Sequence, residues 1–76
     1  MEELVRTIAL SLVSNPDAVS VRETEKDGEI VIELKVAAED MGKVIGKQGR
    51  IAKAIRTVVK ASSAKNNQSV GVEIVQ

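Results

Sequence analysis

Between Val44 and Ile51 the chain reads Val-Ile-Gly-Lys-Gln-Gly-Arg-Ile, a stretch whose residue types suit the holding of a phosphodiester. Gly46 and Gly49 admit backbone conformations closed to other residues and, lacking Cβ, let another backbone come close. Lys47 and Arg50 bring full charge to the same place, and Gln48 supplies donors and an acceptor. If a helix follows the loop, its free N–H groups and positive dipole end add an anion site. Other chemistry is thinly supplied. The sequence holds no His and no Cys, which removes the usual general base, the thiol nucleophile, the disulfide and the thiolate zinc site. Glu39 and Asp40 are adjacent, so on a helix they diverge by about 100° and lack a third ligand; they read as first-turn helix stabilisers. Gly42-Lys43-Val44-Ile45-Gly46-Lys47 invites comparison with a nucleotide-binding P-loop, but that motif needs four residues between its glycines and Ser or Thr after the Lys. Here three residues intervene and Gln48 follows.

The charge distribution supports a polyanion partner. Formal net charge is zero, yet residues 1–40 hold ten of the eleven carboxylates and four basic residues. From Met41 to Val72 there are seven basic residues (Lys43, Lys47, Arg50, Lys53, Arg56, Lys60, Lys65) and no acid. Such asymmetry points toward nucleic acid, while a basic stretch also occurs as a plain solvated helix face. There is no Phe, Tyr or Trp, so bases cannot be stacked on aromatic rings.

These residues need elements to position them. At 76 residues there is room for one domain with a small core. All 33 apolar residues are aliphatic, Met or Ala, and Val and Ile supply 19 of them, which favours some sheet. Leu4, Val5, Ile8, Ala9 and Leu12 fall on one face of an amphipathic helix that Ser14-Asn15-Pro16 ends. Alternation from Val19 to Thr24 and from Ile30 to Val36, joined by Asp27-Gly28, predicts an antiparallel hairpin. Met41, Val44 and Ile45 suit a short helix from about Glu39 that Gly46 terminates. Ile51, Ile55, Val58, Val59 and Ser62 line one side of a longer helix from near Arg50, and the polar run Lys65-Asn66-Asn67-Gln68-Ser69 leads to a last strand carrying Val70, Val72 and Ile74. The order helix, strand, strand, helix, helix, strand predicts an α+β sandwich of two layers, three helices on one face of a three-stranded sheet.

The run from Gly42 to Ile51 resembles the signature of the KH domain, V-I-G-x-x-G-x-x-[IL], whose GXXG loop clamps about four nucleotides. The match is strict through Gly49, and Ile51 supplies the following aliphatic one residue early. The element order agrees with the type II KH fold (α-β-β-α-α-β), and the whole chain is similar to the KhpA family of small bacterial KH proteins, a single domain over residues 1–76. The resemblance implies single-stranded RNA binding by a post-transcriptional regulator or RNA chaperone. Gly46 and Gly49 would admit the sugar-phosphate backbone, with Lys47, Gln48 and Arg50 contacting it. Bases would lie in an aliphatic groove between the helix pair and the edge of the second strand, which nominates Val44, Ile45, Ile51 and the Ile32 to Val36 region. It also implies a homodimer and a larger KH-containing partner of the KhpB (Jag) type, and it implies neither an enzyme nor a cofactor. The alternative is an assembly or adaptor module acting through the Leu4 to Leu12 helix or an exposed edge strand.

On a helical wheel with Ile51 at zero, Arg50 falls at about 260°, beside the loop, and is the first choice for phosphate. Lys53 at about 200° and Lys43, one turn before the loop, are secondary candidates; Arg56 and Lys60, at about 140° and 180°, point away from the expected core. The acidic start of the chain lacks the pattern of a signal peptide, and no stretch approaches the ~20 apolar residues that cross a bilayer, so a cytoplasmic location is expected.

Overall fold

Helix α1 (Glu2–Leu12) turns Val5 and Ala9 fully into the core and Ile8 and Leu12 partly. Glu2 and Glu3 in its first turn complement the helix dipole. The chain leaves α1 extended at Val13, and Pro16 opens a single 3₁₀ turn, where its missing N–H costs nothing. These coordinates are a computed structural model that describes residues 1–64 and 68–76. The Lys65-Asn66-Asn67 part of the polar run lies outside them.

Strands β1 (Ser20–Lys26) and β2 (Glu29–Lys35) pair antiparallel across Asp27-Gly28. Both turn residues have positive φ, 54° and 82°, as a two-residue turn matched to strand twist requires. The register sets Val21 opposite Leu34, and alternation sends Ile32 and Leu34 into the core. Strand β3 (Val70–Val75) lies parallel to β2 on its other side, placing Val72 beside Ile32. The sheet order is therefore β1-β2-β3, with β2 in the centre.

The crossover from β2 to β3 carries α2 (Met41–Ile45) and α3 (Arg50–Ala64). Residues Ala38–Asp40 form a 3₁₀ turn, so α2 starts two residues later than the expected Glu39. On α3 the buried stripe is Ala52, Ile55, Val59 and Ser63. Ile55 and Val59 are buried as expected, but Ala52 and Ser63 replace Ile51, Val58 and Ser62 beside them, so the stripe's centre lies about 60° round the helix from that expected through Ile51, Ile55, Val58, Val59 and Ser62. The cause is packing on two sides, since α3 lies over β3 and presents its Ile51 and Val58 flank to α1. Ser63 is buried without penalty because its hydroxyl donates to the Lys60 carbonyl at 3.0 Å. The result is the expected α+β sandwich, with the helices on one face of a mixed three-stranded sheet.

Candidate nucleic-acid interface

Two helices meet at Gly46-Lys47-Gln48-Gly49. The Gly46 N–H caps α2 by donating to the Gly42 carbonyl at 2.9 Å, and its backbone then adopts φ 75°, ψ 173°. Gln48 and Gly49 also have positive φ, 57° and 72°. Gly49 N–H donates to Gly46 O at 3.1 Å and Arg50 N–H to Lys47 O, closing a 3₁₀ turn directly into α3. The turn thus consumes amides that a bare helix start would leave free. Among the described residues, the N–H groups of Lys47 and Gln48 are the ones in the loop without a backbone acceptor. The anion site belongs to the loop more than to the helix end.

The two glycines are needed for different reasons. A Cβ on Gly46 would stand 2.7 Å from Cγ1 and 2.9 Å from Cδ1 of Ile51, so Gly46 lets Ile51 close under the loop. A Cβ on Gly49 would meet nothing within 4 Å. Gly49 leaves open space on the outer side, where another backbone can approach. Lys47, Gln48 and Arg50 are exposed around it, and Arg50 reaches back to Gln48 Oε1 at 3.4 Å.

Lys43 does not join this group. Its ammonium turns toward the α1–β1 connection, donating to Ser14 Oγ and pairing with Asp40 Oδ1 at 3.4 Å. Asp40 is completely buried and accepts the N–H groups of Ser14 and Asn15, each at 3.0 Å. The Ser14 N–H leads in holding its carboxyl below the usual carboxylate range; burial opposes this, and Asn15 and Lys43 reinforce it. First-turn stabilisation is therefore the wrong role for Asp40. It ties the end of α1 to the start of α2, a helix of five residues that is too short to persist alone. The Asp40–Lys43 spacing of three was the available signal, legible only once a helix start is placed between them.

Val44 belongs wholly to the core, as do Ile32, Leu34 and Val36, and these are withdrawn as base contacts. Burying each stabilises the fold by about 1.5–3 kcal/mol, which a ligand would have to match to expose them. The expected groove beside the edge of the second strand is also corrected, because β2 is central and both its edges are paired. Ile45 and Ile51 remain half-buried around the loop. The free edge on this side belongs to β3. Ser69 O and Val75 O bond inward to Ile30 and Val36, and by parallel alternation the backbone groups of Val70, Val72 and Ile74 point outward. Arg56 lies against this edge, its Nε donating to Val72 O at 3.3 Å. Lys53 and Lys60 share that exposed flank of α3 with Arg56. The flank opposite, with Ile51, Ala54 and Val58, forms an apolar groove with Ile8 and Leu12 of α1, and Val58 is 42% exposed in it.

A helix pair joined by a G-x-x-G loop over a sheet of this order is a type II KH domain. The sequence matches the family described as KhpA/KhpB, KH domain over residues 2–74. It is 65% identical over 75 residues to "RNA-binding protein KhpA" of Caldanaerobacter subterraneus subsp. tengcongensis, covering 99% of this chain and 100% of that one. The protein of the same name from Listeria monocytogenes is 49% identical, with full coverage of both chains. Among solved structures, Aquifex aeolicus Era bound to GDP.AlF4- superposes with a TM-score of 0.65 and 25% identity, over 96% of this chain and 28% of that one. Era bound to MgGDPNP and a 16S ribosomal RNA fragment gives 0.58 at 24% identity over 97% of this chain and 30% of that one, a likeness of fold. The chain belongs to the KhpA/KhpB KH-domain family.

Proposed function

We propose that this protein is a non-enzymatic, cytoplasmic RNA-binding module whose single KH domain holds single-stranded RNA through Gly46-Lys47-Gln48-Gly49 and Arg50. The observation that carries this reading is the loop itself. Positive φ at Gly46, Gln48 and Gly49 shapes a turn in which the Lys47 and Gln48 amides have no backbone acceptor, a Cβ on Gly49 would meet nothing within 4 Å, and Lys47 and Arg50 flank it with no carboxylate between Met41 and Val72. The names of the relatives agree with RNA as the ligand. With the sugar-phosphate backbone at the loop, the bases lie toward the free edge of β3 and the half-buried Ile45, while Ile51 packs under the loop against Gly46. Lys53 adds charge one turn along α3. No helix among the described residues is long and apolar enough to cross a membrane.

The apolar groove between α1 and α3 favours an assembly role alongside RNA binding. Val58 and its neighbours offer a second copy an aliphatic face, and two copies present two loops to one strand. A larger KH-containing partner of the KhpB (Jag) type would compete for the same face. In this reading the protein acts as a post-transcriptional regulator or RNA chaperone.

Lys47→Asp with Gln48→Asp is the cleanest test of the loop. Both side chains are exposed, and Asp tolerates the positive φ of position 48 better than Gln does. Fluorescence anisotropy with a labelled single-stranded RNA should show micromolar binding by the parent and none by the variant, while circular dichroism shows equal melting. Undiminished binding by the folded variant would rule the loop out as the RNA site.

A further inference from the structure

Arg56 is the basic residue that the loop leaves unused. It lies about 9 Å along α3 from Arg50, on the flank facing β3, and its Nε is tied to the Val72 carbonyl at 3.3 Å. That bond fixes where the guanidinium sits without neutralising it. Five N–H donors form a rigid planar fork, and with Nε committed the two terminal NH₂ groups have no hydrogen-bond or ion-pair partner among the described residues. Beside them is the outward-pointing N–H of Val72, whose carbonyl is already taken. The middle of the β3 edge therefore sets two free guanidinium NH₂ groups beside a backbone N–H, with the nearest carbonyl already accepting from Arg56.

This strip has the chemistry to choose between bases. Building on the loop as the phosphate site, we infer that Arg56 is a specificity-determining residue that takes an unpaired base presenting two adjacent acceptors. Guanine offers O6 and N7, and cytosine offers O2 and N3. Adenine sets its amino group beside both N1 and N7, where it would meet the guanidinium donor to donor. Uracil separates its two carbonyls by N3–H. Phosphate is the competing ligand for an arginine, but phosphate is served by Lys47, Arg50 and the loop amides at the other end of the track. Arg56 is instead anchored to the strand edge toward which the bases point. A bidentate arginine contact discriminates by about 1–3 kcal/mol, so a preference of about tenfold is expected.

The test uses the full chain and uridine nonamers whose central position is U, A, G or C, with a fifth carrying 7-deazaguanine. The parent should bind the G and C oligonucleotides about tenfold tighter than the A and U ones, and 7-deazaguanine should fall to the level of U. Arg56→Lys keeps the charge but not the fork, so it should hold the A and U affinities within about twofold and lose the preference. Arg56→Gln should lose the preference as well. Equal affinity of the parent for all four bases overturns the inference, as does a preference that survives Arg56→Lys. A loss in Arg56→Gln that is uniform across the four bases makes Arg56 a phosphate contact and overturns it too. Binding that survives Lys47→Asp/Gln48→Asp overturns the loop reading and this one with it, whereas binding abolished there with the preference intact in Arg56→Lys overturns this one alone.

Discussion

Alanine substitution of the two loop glycines should separate their roles by stability. Gly46 sits at φ 75°, ψ 173°, a region that essentially only glycine occupies, at a cost of about 1–3 kcal/mol for another residue. Its new Cβ would also stand 2.7, 2.9 and 3.1 Å from Cγ1, Cδ1 and Cβ of Ile51, and overpacking of that kind costs about 1–3 kcal/mol. Gly46→Ala should therefore lose about 3–4 kcal/mol. Gly49→Ala meets open space and carries only the positive-φ cost, about 1 kcal/mol. A chain of this size has about 4–11 kcal/mol of stability to lose, so the first substitution removes a large share of it and the second does not. Urea unfolding followed by far-ultraviolet circular dichroism is the appropriate assay, since without Trp or Tyr there is no intrinsic fluorescence. Ile51→Ala removes Cγ1 and Cδ1, so in the double variant with Gly46→Ala about 1–2 kcal/mol should return as coupling. Equal losses at the two glycines, or strict additivity of Gly46→Ala with Ile51→Ala, would refute the packing argument.

Asp40 has a lowered pKa in the folded chain, so its stabilisation is fully present above the unfolded value, about 3.8, and is lost as pH falls through the folded value. Asp40→Asn should melt lower at neutral pH and, in thermal melts from pH 6 to pH 2, show a weaker acid dependence than the parent. Gln48→Gly should raise stability by about 1 kcal/mol in urea titrations by relieving the positive φ at position 48. Because Lys47, Arg50 and Lys53 neutralise at most three phosphates, the logarithm of RNA affinity should fall with the logarithm of salt at a slope of about −2, and Lys53→Gln should make it shallower. Val58→Asp places a charge in the α1–α3 groove and should shift sedimentation toward monomer without unfolding the domain.

Much of the fold was legible because its signals are local. Asp27-Gly28, the alternation of β2, the Pro16 stop and the Gly46 cap each act within a few residues, and all are where the pattern places them. What stayed hidden depends on partners distant in sequence. The burial stripe of α3 is set by β3 on one side and α1 on the other, so a helical wheel centred on its most apolar residues was off by about 60°. The centrality of β2 depends on where the last strand docks, which no periodicity reports, and it moved the free edge from β2 to β3. Asp40 read as a first-turn helix stabiliser because the donors to its carboxylate, the N–H groups of Ser14 and Asn15, lie 26 and 25 residues away. The same distance effect turned Lys43 from a candidate ligand into a brace and gave Arg56, expected to be plainly solvated, a fixed position on Val72.

The central claim, that RNA is held at Gly46-Lys47-Gln48-Gly49 and Arg50, is most directly tested by ¹⁵N–¹H correlation spectra of the full chain during titration with a short single-stranded RNA. The amides of residues 46–50 should shift first and furthest, with smaller changes along β3 and at Arg56, and the same titration of Lys47→Asp/Gln48→Asp should leave the spectrum unmoved. Shifts confined to the α1–α3 groove or to the far face of the sheet, with residues 46–50 unaffected, would contradict the account.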